Sequence, residues 1–168
     1  MISLRTEAEQ WLRDRDVTQW TSDYFDYART VMTASVVAGI AWVVEAGDEV
    51  VATAALSPQA DMDFWDIEDD PDSALYLGKM IVSRAHAGRG LGSSILDWAS
   101  HRAHRLDKRW VRIDVRRDND RLHAYYLKLG FQHVRTVKPE HRRTESGWLA
   151  QRPAGFHVSD GPELFELA

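Results

Sequence analysis

The 168-residue sequence contains no cysteine. A disulfide framework, a thiolate metal site and a cysteine nucleophile are therefore excluded, and most zinc-finger interpretations fail with them. Histidine and carboxylate side chains could still bind a metal. His101 and His104 lie one helical turn apart, but they have no obvious third ligand, so we predict no metal site.

The sequence also lacks long apolar runs and an excess of basic residues. No stretch approaches the roughly 20 apolar residues of a membrane span, and residues 1–16 are charged, without the apolar core of a signal peptide. Lys and Arg number 21 against 26 Asp and Glu, and this net charge of −5 argues against a protein that coats nucleic acid or membranes. We therefore expect a soluble cytoplasmic protein, and the 44% hydrophobic composition suffices for a single domain over residues 1–168.

The charges are unevenly distributed along the chain. Residues 61–72 contain seven acidic and no basic side chains, whereas residues 84–121 contain ten Lys or Arg and five Asp. Segments of opposite charge are compatible with separate places for an anionic and a cationic ligand, and also with solvated surface.

Hydrophobic periodicity places helices before the strands. Apolar residues at positions 4, 8, 11 and 12 predict a first helix that ends near Asp16, and a second helical region is predicted within residues 18–34, with Ser22 or Asp23 as N-cap. The other predicted elements are two strands within 40–56 joined by a turn at 46–48, a strand at 74–82, a helix at 91–106, a strand at 110–115, a helix at 122–129, a strand at 131–137 and a strand at 162–167. This order predicts an α/β or α+β domain with a mixed sheet.

The strand at 110–115 alternates cleanly between apolar and charged residues. Val111, Ile113 and Val115 are expected to face the core, with Arg112 and Asp114 on the other side, as in a strand with one buried face. Residues 138–161 are a polar stretch with three Gly and two Pro, in which no element is predicted.

A glycine-rich motif, Ala-Gly-Arg-Gly-Leu-Gly-Ser at residues 87–93, lies between a predicted strand and a predicted helix. Its glycines remove Cβ atoms where the backbone turns and approaches a ligand, and successive amides at a helix N-terminus favour a phosphate or pyrophosphate. The motif lacks the Lys-Ser/Thr ending of a P-loop and the spacing of the dinucleotide fingerprint. On its own it is equally explained as a turn that starts a helix.

A second motif, Asn119-x-x-Leu-x-x-Tyr-Tyr-x-Lys-x-Gly-Phe131, follows in the sequence. The two motifs, in this order and separated by a helix and a strand, resemble the GNAT superfamily of N-acetyltransferases, in which a Q/R-x-x-G-x-G/A loop precedes N-x-x-A-x-x-L-Y-x-K-x-G-F. The resemblance covers residues 39–137 and implies a mixed, mostly antiparallel central sheet flanked by helices. Ala87 stands where the family has Gln or Arg, and we expect Arg84, His86 or Arg89 to substitute for that phosphate contact.

The resemblance implies acetyl-CoA as cosubstrate and assigns roles to individual residues. The residues implied in holding the coenzyme are Met80, Ile81, Val82, Gly88, Arg89, Gly90, Leu91, Gly92, Ser93, Asn119 and Tyr126. The Tyr126 hydroxyl would lie near the coenzyme sulfur as general acid. From the residues alone, Tyr126 is alternatively a core aromatic and Asn119 a turn residue, but the spacing of the motif favours the functional interpretation.

The general base is predicted in the acidic segment. Tyr76 occupies the strand position at which some family members carry a catalytic Glu, so Glu68, with Asp66 and Asp69 beside it, is predicted to attract a cationic amine and relay its proton. The alternative is a solvated acidic loop. Trp65 in the same segment is expected in the core or a pocket wall, where it could pack on an organic cation.

Residues 7–20 resemble the first-helix region of a bacterial subgroup of small GNAT proteins, which normally have a β-strand ahead of that helix. We find no counterpart of this strand in the sequence. We expect either that the start is misassigned or that the second strand is an exposed edge that another chain covers. We therefore expect a weakened monomer or a homodimer.

The leading hypothesis is an acetyl-CoA-dependent N-acetyltransferase that transfers the acetyl group directly to a primary amine of a small molecule or peptide. The alternative is a non-catalytic CoA-binding or regulatory module of the same fold. A nucleic-acid-binding domain that uses residues 84–121 is disfavoured by the net charge and the lack of a recognised motif.

Overall fold

The computed structural model describes residues 2–14, 25–142 and 145–167. Its helices and strands, in chain order, are α1 (Ile2–Arg13), α2 (Phe25–Val37), β1 (Ala41–Ala46), β2 (Glu49–Ser57), β3 (Ala74–Val82), α3 (Leu91–Arg105), β4 (Trp110–Arg116), α4 (Asp120–Lys128), β5 (Gln132–Thr136) and β6 (Ser146–Pro153). The predicted N-caps Ser22 and Asp23, and the predicted helix end at Asp16, lie outside the described residues.

The six strands form one sheet in the order β1-β2-β3-β4-β6-β5. Every neighbouring pair is antiparallel except β3 and β4, which are parallel. The predicted mixed, mostly antiparallel sheet flanked by helices is therefore confirmed. The turn that joins β1 to β2 is also where the sequence places it, because Gly47 takes the positive φ of 62° that such a turn requires.

Helices cover both faces of the sheet. Residues 51–56 of β2 are all buried although their side chains point alternately to the two faces. The larger apolar cluster contains Leu75 of β3 together with Ile95 and Leu96 of α3. A separate cluster joins Leu4 of α1 and Met32 of α2 to Ile81 at the far end of β3.

The sequence prediction was wrong about the last strand. The sixth strand is β6, inside the stretch 138–161, where Leu149 and Ala150 are fully buried because β4 and β5 pair with β6 on its two sides. Residues 162–167 form no strand. Glu166 lies instead against α3, where it accepts hydrogen bonds from Arg102 at 2.7 Å and Arg105 at 2.5 Å.

The prediction of one buried face for β4 was also wrong. Arg112, expected to face solvent, is only 4% exposed. Its guanidinium donates to the main-chain oxygens of Asp69 and Asp70 and lies 4.7 Å from the ring centre of Trp65. The acidic segment therefore covers the second face of β4, and Arg112 is buried because that segment supplies acceptors for its donors.

Candidate active site

The strands β3 and β4 diverge in the middle of the sheet. The ladder between them consists of three pairs at the start of each strand, Ala74 with Trp110, Leu75 with Val111 and Tyr76 with Arg112. From Leu77 to Val82, β3 pairs with β2 only. The other edge of this segment carries backbone N–H and C=O groups that face the gap, where an extended ligand can add to the sheet as a strand would. The predicted coenzyme residues Met80, Ile81 and Val82 all lie on it.

A β-bulge lies in the diverging part of β3. Thr53 of β2 pairs with Ile81 and Ala55 pairs with Gly78, so Lys79 and Met80 together face a single residue of β2. Lys79 takes a φ of 52°, an uncommon conformation for a residue with a Cβ. Bulges of this kind re-aim side chains next to active sites.

The glycine-rich loop is shaped to receive an anion. The amides of residues 88–93 donate hydrogen bonds to no acceptor among the described residues, and they stand at the N-terminus of α3. Gly88 and Gly90 have φ values of 77° and 79°. A Cβ on Gly90 would lie 2.8 Å from the Cα of Gly161, and a Cβ on Gly92 would lie 2.7 Å from the hydroxyl oxygen of Tyr125. The loop thus presents free backbone donors in a space that excludes side chains, as expected for a phosphate cradle.

The C-terminal segment lies directly beside this loop. The Ser159 hydroxyl is 3.0 Å from that of Ser93 and 3.2 Å from that of Ser94. Asp97, one turn further along α3, accepts hydrogen bonds from the amides of Val158 and Ser159. The Ser93 hydroxyl is thus engaged within the protein, because it also donates to the Gly90 carbonyl, and its amide is the group left for a ligand.

Asn119 and Tyr126, the two functional candidates of the second motif, both have structural roles. The Asn119 side chain accepts a hydrogen bond from the Leu122 amide at 3.0 Å and so caps α4. The Tyr126 ring is only 6% exposed and packs edge-on against Tyr125 and Phe131. Burial first, and then Tyr125 and Asp114, raise the pKa of Tyr126 above its usual value, so its hydroxyl stays protonated near neutral pH.

Two carboxylates of the acidic segment are engaged by arginines of the chain itself. The Asp61 carboxylate accepts two hydrogen bonds from Arg142, at 2.7 and 2.9 Å. The Asp69 carboxylate accepts two from Arg135, which hold its pKa below the usual range. Guanidinium groups from β5 and the segment after it thus engage Asp69 and Asp61, whereas Asp66, Glu68, Asp70 and Asp72 are exposed.

The structure does not bring Glu68 into a pocket. Glu68 is exposed on the single 3₁₀ turn Ile67–Asp69, and its role as base stays a prediction. Trp65 is 1% exposed, and the cations near its ring belong to the chain itself, with Arg112 at 4.7 Å and Arg135 at 5.7 Å. An organic cation would therefore have to displace side chains that already hold Trp65 in place.

A cavity of about 450 Å³ opens where β3 and β4 separate. Its charged lining residues are Asp61, Lys79 and Asp114. Burial and the nearby Asp61 raise the pKa of Asp114 to about 6, against the opposing effect of a hydrogen bond from Ser146. Sequence reasoning missed Asp114. The available signal was a carboxylate in the middle of a central strand, because charged residues buried in a sheet are usually paired or belong to a functional site.

The fold and both motifs match a known family. The sequence profile of the Acetyltransferase (GNAT) family matches residues 5–131. The chain belongs to this family. Its reaction is the transfer of an acetyl group from an acyl-CoA to an amine, so the chain is an N-acetyltransferase.

Individual relatives agree with this assignment. The uncharacterized N-acetyltransferase YesJ of Bacillus subtilis (strain 168) is 32% identical over 135 residues, which are 79% of this chain and 74% of YesJ. A GNAT acetyltransferase structure from Listeria monocytogenes superposes with a TM-score of 0.73 at 20% identity, covering 90% of this chain and 86% of that one. A GNAT structure from Desulfovibrio desulfuricans gives a TM-score of 0.62 at 14% identity over 82% and 85% of the two chains. These two structures support the fold.

The described residues contain neither a metal-binding cluster nor a membrane-spanning helix. Within residues 2–14, 25–142 and 145–167, no group of three or more His, Asp or Glu side chains is placed to hold a metal ion. His101 and His104 are both exposed on α3. No helix in the described part of the chain is long and apolar enough to cross a membrane.

Proposed function

We propose that this GNAT protein transfers the acetyl group of acetyl-CoA directly to a primary amine of a small molecule or peptide. The observation that carries the proposal is the divergence of β3 and β4, with free loop amides beside one end of the gap and a carboxylate-lined cavity within it. Such a gap can hold a thioester and an amine in contact, which removes most of the entropic cost of their encounter.

The residues present fit the coenzyme. The amides of residues 88–93 are suited to its pyrophosphate, and the open edge of β3 at residues 80–82 is suited to its pantetheine arm. Arg89 is the best substitute for the family's side-chain contact at Ala87. Arg84 already packs its guanidinium 3.9 Å from the ring centre of Trp11, and His86 is bonded to the Ser83 hydroxyl, whereas Arg89 makes no such contact with the described residues.

The reaction needs a proton donor for the departing sulfur. Bound acetyl-CoA supplies a thioester whose acyl carbon is electrophilic and whose sulfur leaves as a thiolate. Tyr126 is proposed as the donor because its hydroxyl is protonated at neutral pH and because Asp114 of the cavity lies close enough to influence its pKa. Asn119 is proposed to contribute to coenzyme binding mainly by fixing the start of the helix that carries Tyr126.

The test is an acetyl-transfer assay with the purified protein, acetyl-CoA and a panel of primary amines, with free thiol and acetylated amine measured together. We expect equal amounts of thiol and product for at least one amine. Binding of CoA by calorimetry without any transfer would favour the non-catalytic CoA-binding module. Absence of CoA binding would overturn both functions.

Replacing Gly90 by Ala is expected to weaken CoA binding by about tenfold or more, equivalent to about 1.4 kcal/mol or more. The added Cβ would lie 2.8 Å from the Cα of Gly161, so the loop or the C-terminal segment must move. Gly47→Ala is the matched control, since Gly47 also has a positive φ, of 62°, but open space around it. Both variants are expected to lose about 1–2 kcal/mol of stability through backbone strain. Equal CoA affinity in calorimetry for Gly90→Ala and the wild type would contradict the loop assignment.

A further inference from the structure

One carboxylate in the cavity, that of Asp114, is assigned neither to coenzyme binding nor to protonation of the leaving sulfur. Asp114 lies in the middle of β4, two residues beyond the last pair of the ladder with β3, and is paired in register with Leu149 of β6. Its side chain reaches the cavity between the diverging strands, opposite Gly78 and Lys79 of β3. Asp114 thus occupies the gap itself rather than its rim.

Groups on the elements packed around Asp114 act on the pKa of its carboxyl group in opposite directions. Ser146 of β6 donates a hydrogen bond to it. The charged neighbours are Asp61 from the acidic segment, Arg142 from the segment between β5 and β6, and Lys79 from β3. The charge of Asp114 also raises the pKa of Tyr126 on α4. The carboxylate therefore lies near the proposed proton donor and is accessible from the cavity.

The other carboxylates near the cavity are less suited to accept a proton. Asp61 has both oxygens bonded to the guanidinium of Arg142, at 2.9 and 2.7 Å. Glu68 is exposed and is not part of the cavity lining. Burial and Asp61 raise the pKa of Asp114 to about 6, close to the operating pH, where a general base is most effective.

We propose that Asp114 is the general base of the reaction and that the acceptor enters this cavity as a charged primary ammonium. The inference rests on the proposed acetyl transfer. Asp114 takes one proton from the ammonium, and the free nitrogen forms the new N–C bond while the C–S bond of the thioester breaks. The nitrogen then loses a second proton, and the sulfur leaves as a thiol with a proton from Tyr126, which is reprotonated at the expense of that second proton. One proton remains on Asp114 and passes to solvent, so charge and atoms balance.

Asp114→Asn is expected to lower kcat/KM by about 100-fold or more near neutral pH, because the amide cannot accept the proton. CoA affinity in calorimetry is expected to stay within about threefold of the wild type. Asp118→Asn is the matched control, since Asp118 lies on the same stretch of chain but is exposed and paired with Arg116. Its kcat/KM is expected to match the wild type.

The pH dependence separates a base from a structural residue. In the wild type, kcat/KM is expected to rise with pH through the pKa of Asp114, near 6, because only the ionised carboxylate accepts a proton. Asp61→Asn removes a negative neighbour and is expected to move this limb to lower pH. Lys79→Gln removes a positive neighbour and is expected to move it to higher pH. A carboxyl NMR titration of Asp114 should show the same shifts without any turnover.

The outcomes distinguish the two proposals. If the wild type is active, full activity of Asp114→Asn would overturn the base assignment alone. So would a rise of kcat/KM with pH that stays at the same pH in Asp61→Asn and Lys79→Gln. A wild type that acetylates no amine while Asp114 still titrates near 6 would overturn the acetyl transfer instead.

Discussion

Tyr126→Phe is expected to lower kcat by about 100-fold or more while the affinity for CoA changes by less than about threefold. The substitution removes the proton donor but keeps the ring that packs against Tyr125 and Phe131, with centroids 5.3 Å from each. Because the ring packing is retained, the loss of the hydroxyl should not unfold the protein. Steady-state kinetics and CoA calorimetry on the same preparation would measure both quantities.

Tyr125→Phe is the matched control for this prediction. Tyr125 is the adjacent tyrosine, 37% exposed, with its hydroxyl beside Gly92. Its kcat is expected to stay within about threefold of the wild type. An equal loss of turnover in the two variants would show that the proton donor had been assigned to the wrong residue or that neither hydroxyl donates.

Arg152→Met is expected to cost about 3–5 kcal/mol of the free energy of unfolding. Arg152 is fully buried, and its guanidinium donates to the Asp97 carboxylate at 3.0 Å, to the Ser100 hydroxyl at 2.9 Å and to the main chain of Leu96 and Leu129. Removal of the cation leaves the buried Asp97 carboxylate without its guanidinium partner, although the amides of Val158 and Ser159 still donate to it, and leaves the other acceptors without their donor. The cost is large for this reason, although the intact pair need not stabilise the fold over an apolar one.

Urea denaturation would measure this loss against Arg109→Met. Arg109 pairs with Asp70 at 3.5 Å, with both side chains more than 60% exposed, and its loss is expected to cost less than about 1 kcal/mol. Adding Asp97→Asn to Arg152→Met should recover part of the stability, because the uncompensated charge disappears. A loss for Arg152→Met no larger than that for Arg109→Met would contradict the buried ion pair.

Local patterns predicted most of the sheet. The apolar run at residues 74–82, bounded by turn residues, gave the bounds of β3, and the alternation at 110–115 gave β4 to within one residue. Gly47 placed the turn between β1 and β2 because only a residue that tolerates positive φ fits there. In each case the information lies within a few neighbouring residues.

The errors arose where distant residues decide the outcome. β6 contains Arg152, whose charge is compensated by Asp97 of α3, 55 residues earlier in the chain. The acidic segment looked free because its partner Arg142 lies 81 residues away from Asp61. No periodicity in the sequence indicates either pairing, and burial of these charges depends on the completed fold.

For the candidate site, too, sequence reasoning found the residues set by local spacing and missed those brought together by distant contacts. The two motifs predicted the loop and Tyr126 as site residues because the spacing within a loop or a helix is local. Asp114 and Asp61 are brought together only by the packing of the acidic segment on β4. Reasoning from the sequence therefore had no reason to consider Asp114 and predicted Glu68 as the base. A charged residue predicted in the middle of a central strand should therefore be examined as a site candidate.

The most direct test of a coenzyme site along the diverging strands is an amide NMR titration of the wild-type protein with CoA. The resonances of Gly88, Gly90 and Gly92 and those of residues 80–82 are expected to shift in a saturable way, because their backbone groups line the loop and the open edge of β3. The resonance of Gly47, in the turn between β1 and β2, should stay in place. Unchanged loop and β3 resonances at saturating CoA would contradict the site and the reaction assigned to it.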